Sequence, residues 1–128
     1  MNLARIYAIV FGVVYTLAGL VGFAVSSTLA VGTLISLPVN VLHNVVHLLV
    51  GIIGIAAFLT ARSVLYARGM AVLFVILFVA GFLPADSDGR FLGLVPLGGT
   101  DIVLHAATAI LGGLAGFAFA NREERAAA

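Results

Sequence analysis

Three histidines and one aspartate carry most of the chemistry available to this chain. His43 and His47 are four residues apart, and so are Asp101 and His105. On a helix, positions i and i+4 lie on one face, so each pair projects to a single side. Neutral imidazole suits zinc, copper, iron and nickel, and a carboxylate completes such a shell. One i,i+4 pair on each of two facing helices is a workable way to build a metal site in a bundle. His43, His47, Asp101 and His105 are therefore candidate ligands of a divalent transition metal.

The same residues allow three other readings. His47 and His105, on different helices at matched depth, would serve as axial ligands of a haem. Polar groups inside a membrane also mark proton or ion paths. The fourth reading is structural. Asn40, Asn44, Thr100 and Asp101 are helix N-cap residue types, placed where free N–H groups need acceptors. With Thr108 and the mid-span hydroxyl of Tyr15 they would form a polar network that stitches the helices together. Asn44 and Thr108 are also available as outer partners of metal-bound imidazoles.

The elements that hold these residues follow from composition. Of 128 residues, 63% are hydrophobic and 9% are charged, whereas a soluble domain has about 25% charged residues. Most of the surface must therefore face lipid. Four segments have the roughly 20 apolar residues that a spanning helix needs: about 5–25, 41–61, 65–83 and 101–120. Lipid offers no partners to backbone N–H and C=O groups, which forces each span into a helix. The runs lack the strict alternation of barrel strands. The first apolar run exceeds the roughly 7–15-residue core of a cleaved signal peptide and is expected to remain as a helix. The expected fold is all-α, one transmembrane domain over residues 1–128.

Arg5, Arg62, Arg68, Arg122 and Arg125 fall on the side of the N terminus, and Arg90 alone falls on the other, beside Asp86 and Asp88. The positive-inside rule then predicts cytoplasmic termini and two outward-facing longer loops. The chain has no cysteine, so disulfides and thiolate sites are excluded. Its net charge of +1 gives no reason to expect nucleic acid. Tyr7, Tyr66 and Arg68 read as interface anchors, and Asp86 with Asp88 as a solvated turn.

The chain also reads as two copies of a two-helix unit. Pro38, His47 and Gly54 recur as Pro96, His105 and Gly112 at a constant offset of 58 residues. Upstream, Gly22 and Phe23 match Gly81 and Phe82, and Ala4 and Arg5 match Ala67 and Arg68, with small gaps. Tandem two-span copies share one orientation and are related by an axis along the membrane normal. His43 then corresponds to Asp101 and His47 to His105, and the four side chains converge near that axis. Small residues such as Gly12, Thr16, Gly19, Gly112 and Gly116 let membrane helices approach closely and are expected to serve packing inside the bundle.

The stretches 40–51 and 93–105 resemble the two signature segments of a bacterial membrane family, the domain-of-unknown-function family numbered 4383. The resemblance runs from about Arg5 to Ala120; Gly98, Gly99 and Ile102 depart from the more polar or aromatic residues of that pattern. It implies four transmembrane helices in a bacterial inner membrane and no established activity. The functional expectation is a small inner-membrane protein with an outward-facing His/Asp cluster, acting as a binding or accessory scaffold protein. The alternatives are a haem-carrying subunit of a larger membrane complex and a small oligomeric channel or transporter. Beyond the lipid bilayer, the partners considered are a second copy of the chain or that larger complex. No phosphate loop, hydrolase elbow or activated nucleophile is present, so an enzyme is not expected.

Overall fold

A computed structural model describes residues 1–120. The charged tail with Arg122 and Arg125, which adds two arginines to the orientation argument, lies outside the described residues. Helix α1 is Leu3–Val25, α2 is Val41–Leu59, α3 is Ser63–Ala80 and α4 is Asp101–Gly113, continued by a π-helical turn at Leu114–Ala118. All four are long and apolar enough to cross a membrane. At 1.5 Å per residue, α1 is about 34 Å long, enough for a hydrocarbon core of about 30 Å. The chain is a four-helix transmembrane bundle.

Residue size decides which face turns inward. On α1 the buried positions are Ala4, Tyr7, Ala8, Gly12, Tyr15, Gly19 and Gly22, whereas Val10, Val14, Leu17 and Leu20 are exposed. Branched aliphatics gain nothing by leaving lipid, so close packing of small residues drives association instead. The glycines expected to pack the bundle do so. A Cβ on Gly51 would lie 2.4 Å from the backbone nitrogen of Thr16, and one on Gly12 would lie 2.8 Å from that of Ile55. Helices α1 and α2 thus meet backbone to backbone.

The two hairpins α1–α2 and α3–α4 repeat each other. Even-numbered helices match at 58 residues, and the odd-numbered ones match at 59. Gly22 packs on Asn44 as Gly81 packs on Ile102, and Gly54 on Tyr66 as Gly112 packs on Tyr7. This register pairs Ala8, not Ala4, with Ala67, which corrects the gapped alignment of Ala4 and Arg5 with Ala67 and Arg68. It also exposes an exchange of hydrogen bonds between the repeats. The Tyr7 hydroxyl donates to the Thr108 carbonyl (2.9 Å), and the Tyr66 hydroxyl donates to the Val50 carbonyl (3.0 Å). Both tyrosines are buried. They tie one hairpin to the other and are not interface anchors, because a phenol inside the bundle must find an acceptor.

The connections at one end cover the bundle. The stretch expected to be a loop between α1 and α2 contains an antiparallel hairpin, β1 (Gly32–Leu34) with β2 (Leu37–Val39). The segment between α3 and α4 folds irregularly over the same end. The Asn40 amide donates to the Leu94 carbonyl (2.6 Å), and the Thr100 hydroxyl donates to the Ser36 carbonyl. Each connection is thereby held by the other repeat.

The close contact of α1 and α2 makes a direct prediction. Gly51→Ala forces two backbones apart, and overpacking of this kind costs about 1–3 kcal/mol. Gly69→Ala meets nothing within 4 Å and gains helix propensity of up to about 1 kcal/mol. Thermal unfolding in detergent should fall for the first variant and hold or rise for the second. Equal behaviour of the two would contradict the backbone contact.

Candidate metal centre

Local capping starts the site. The Asn40 side chain accepts from the His43 backbone N–H (3.0 Å) and fixes the first turn of α2. Asp101 is the first residue of α4, where the positive end of the helix dipole favours a carboxylate. His43 and Asp101 therefore lie at matching heights, with His47 and His105 one turn deeper on the same faces. All four side chains are at most 3% exposed.

The distances are those of a shared centre. His105 Nε2 lies 3.1 Å and His43 Nε2 lies 3.4 Å from Asp101 Oδ2. One ligand atom from each of these three residues falls within 4.8 Å of the others. His47 joins through its neighbour: its Nε2 is 3.0 Å from His43 Nε2. Bond lengths of 2.0–2.1 Å around a tetrahedral zinc put neighbouring ligand atoms about 3.3 Å apart. The structure thus brings His43, Asp101 and His105 together directly and sets His47 beside His43.

The charge balance is unusual for a membrane interior. Among the described residues, Arg5, Arg62 and Arg68 belong to the opposite end of the bundle, and Arg90 pairs with Asp86 (3.0 Å) and Asp88 (2.7 Å) in the loop. The carboxylate of the fully buried Asp101 lies beside the rings of His43 and His105. Both of its carboxylate oxygens, together with Nδ1 of His47 and of His105, have no hydrogen-bond partner among the described residues.

Aromatic residues of the odd-numbered helices back the deeper histidines. The Tyr15 ring lies edge-on to His47 with centroids 5.0 Å apart, and Phe74 does the same to His105 at 5.4 Å. These pairs are equivalent under the repeat. The symmetry breaks at the hydroxyl: Tyr15 and Thr108 share a hydrogen bond of 2.7 Å, where the other copy has Phe74 and Val50. Asn44 is fully buried and donates to the Ser26 carbonyl (2.8 Å), while its counterpart is Ile102. Thr100 is exposed and bonds Ser36, so it neither caps α4 nor reaches the cluster. The sequence places Tyr7 as an interface anchor and does not single out Phe74; the 59-residue spacing of Tyr7 from Tyr66 and of Tyr15 from Phe74 is the signal that links them.

The turn that covers this end is itself ordered by charge. Asp86 Oδ1 accepts from the backbone N–H groups of Asp88 and Arg90. The Arg90 backbone N–H, and then its guanidinium, hold the Asp86 carboxyl below the usual carboxylate range.

Fold and site together define a polytopic membrane protein with a buried cluster of His and Asp at one end. The family model described as Domain of unknown function (DUF4383) matches residues 5–118, and the chain belongs to that family. No curated protein and no solved structure matches it.

Two predictions follow from these contacts. Tyr15→Phe and Thr108→Val should each cost about 1–2 kcal/mol by leaving a buried hydroxyl or its partner unmatched. The double variant should cost less than the sum of the two; strict additivity in detergent unfolding would show that the pair does not interact. For Asp86, a lowered folded-state pKa means that its contribution to loop order is complete above its ordinary value of 3.8 and is lost as pH falls below it. Amide exchange at Asp88 and Arg90 should accelerate, relative to the intrinsic rate, on acidification through that range, and Asp86→Asn should remove the effect.

Proposed function

We propose that this protein binds one divalent transition metal through the Nε2 atoms of His43, His47 and His105 and the carboxylate of Asp101. The observation that carries the reading is the convergence of three buried ligand atoms within 4.8 Å, with a fourth 3.0 Å from one of them. Charge supports it as well. A buried carboxylate without a compensating positive charge is costly, and a dication cancels that cost. Three imidazoles and one carboxylate suit zinc and also accept copper, nickel or iron; His47 would have to move in from beside His43 to complete the shell. A haem between His47 and His105 draws less support, because the ring nitrogens in the cluster meet one another or Asp101 directly.

The surroundings favour a holding or accessory role. The centre is covered by both connections. The arginines Arg5, Arg62 and Arg68 at the far end support an orientation with the centre in the outer leaflet of a bacterial inner membrane. A second reading has the same geometry without metal. The 3.0 Å hydrogen bond between His43 and His47 and the His–Asp contacts of 3.1 Å and 3.4 Å would then belong to a purely structural network.

Elemental analysis of detergent-purified protein separates the two. The metal reading expects about one zinc or similar ion per chain, or uptake of one on dialysis against micromolar zinc. His43→Ala, His105→Ala and the isosteric Asp101→Asn should each weaken binding at least tenfold, and acid should release the metal because protons compete for its ligands. Wild-type protein that neither carries nor takes up metal, and whose variants differ only in melting temperature, would leave the structural network.

A further inference from the structure

A groove of about 470 Å³ runs between α2 and α3, at the end of the bundle away from the His/Asp cluster. Ile53, Ala56, Gly69 and Leu73 give it apolar walls, and Arg62 stands at its mouth. The hydroxyls that reach it are already engaged: Tyr66 donates to the Val50 carbonyl and Thr60 to the Ala56 carbonyl. Arg62 is different. It is exposed and has no ion-pair partner among the described residues. The other two arginines of this end are held within the chain. Arg5 lies 4.8 Å from the centre of the Phe58 ring, and Arg68 donates to the Gly116 carbonyl (2.7 Å).

The repeat shows that the fold does not require this opening. Offsets of 59 residues on the odd-numbered helices and 58 on the even-numbered ones relate Arg62, Gly69 and Ala56 to Leu3, Val10 and Leu114. The copy of the groove between α4 and α1 thus carries bulkier side chains and a leucine in place of the arginine. Gly69 is also unexplained by packing inside the chain. A Cβ there would meet nothing within 4 Å, although glycine weakens a helix. Space and charge have been introduced together in one copy, which points to an occupant with an apolar body and an anionic head.

We infer that this groove binds an anionic phospholipid, with an acyl chain between α2 and α3 and the headgroup phosphate on Arg62. Length supports a lipid. From Arg62 to Leu73 the helix rises about 16 Å at 1.5 Å per residue, close to half of a hydrocarbon core of about 30 Å. The groove therefore extends as deep as one leaflet, which is the reach of one acyl chain. A helix from a second copy is about 10–12 Å across and would continue through both leaflets. The guanidinium fork matches phosphate oxygens, and basic pockets between membrane helices hold anionic headgroups. Arg62 is also the N-cap of α3, so the positive end of that helix adds to its charge. The inference is independent of the metal reading, because the groove and the cluster share no residue.

The test titrates the full chain, delipidated in maltoside detergent, with three probes that carry the same two oleoyl chains: phosphatidylglycerol, phosphatidylcholine and diacylglycerol. Native mass spectrometry counts the lipid retained per chain. Saturable retention of one phosphatidylglycerol, at least tenfold tighter than either of the other probes, supports the site. Arg62→Gln should weaken it at least tenfold, and Arg5→Gln, at the same end of the bundle, should not. The double variant Gly69→Val with Ala56→Leu reduces the space, and should weaken retention as much while the melting temperature in lipid-free detergent holds. No saturable retention of phosphatidylglycerol overturns the inference. Equal retention of phosphatidylcholine or diacylglycerol does so too, as does wild-type affinity in Arg62→Gln or in the double variant.

Discussion

A carboxylate inside the membrane must be neutralised, and the structure around Asp101 is organised by that demand. The residue is fully buried at the first turn of α4, and the ring nitrogens of His43 and His105 stand 3.4 Å and 3.1 Å from it. The helix dipole helps but supplies only a fraction of a charge. A shared proton or a bound dication supplies the remainder. Either solution needs α2 and α4 at fixed height and rotation, because an error of one residue on a helix turns a side chain by about 100°. The Asn40 cap, the matched helix starts and the two connections that brace each other all serve that alignment.

The repeat explains how a short chain achieves it. Two hairpins of one design place corresponding residues at similar heights in the bundle without separate control. The exchanged bonds of Tyr7 with Thr108 and Tyr66 with Val50 lock the copies together one level below the cluster. The copies differ at the cluster. Asp101 stands where the first copy has His43, which converts a four-histidine arrangement into one with a compensating negative charge. Tyr15 and Phe74 are equivalents that back equivalent histidines, yet only Tyr15 brings a hydroxyl. Asn44 holds Ser26, where the second copy has an aliphatic side chain.

Much of this was legible in the sequence, for a physical reason. Span length, the arginine pattern and i,i+4 spacing depend on local chain geometry, so the four helices and the faces of their polar pairs could be read directly. The 58-residue offset connected His47 to His105 because proline and histidine occur only three times each in the chain. What escaped depended on packing between helices. Tyr7 and Tyr66 sit near helix ends, where an interfacial phenol is ordinary, and nothing local shows that small neighbours admit them to the interior. Gly22 and Gly81 match, but the one-residue change of register in the odd-numbered helices hid the match of Ala8 with Ala67. The hairpin at Gly32–Leu34 and Leu37–Val39 and the bond from Thr100 to Ser36 rest on contacts between distant segments.

The cross-bracing has a consequence for what counts as the functional unit. The first hairpin contributes His43 and His47 and the second contributes Asp101 and His105, so neither holds more than half of the cluster. The first hairpin also contributes Asn40, which reaches across to Leu94, and the second contributes Thr100, which reaches back to Ser36. Each repeat therefore closes the other's half. A single hairpin would leave two imidazoles, or an imidazole and a carboxylate, facing lipid without partners, which is the arrangement a bilayer penalises most. The two halves must therefore be together for the cluster to exist, and the contacts of Asp101 with His43 span the two repeats.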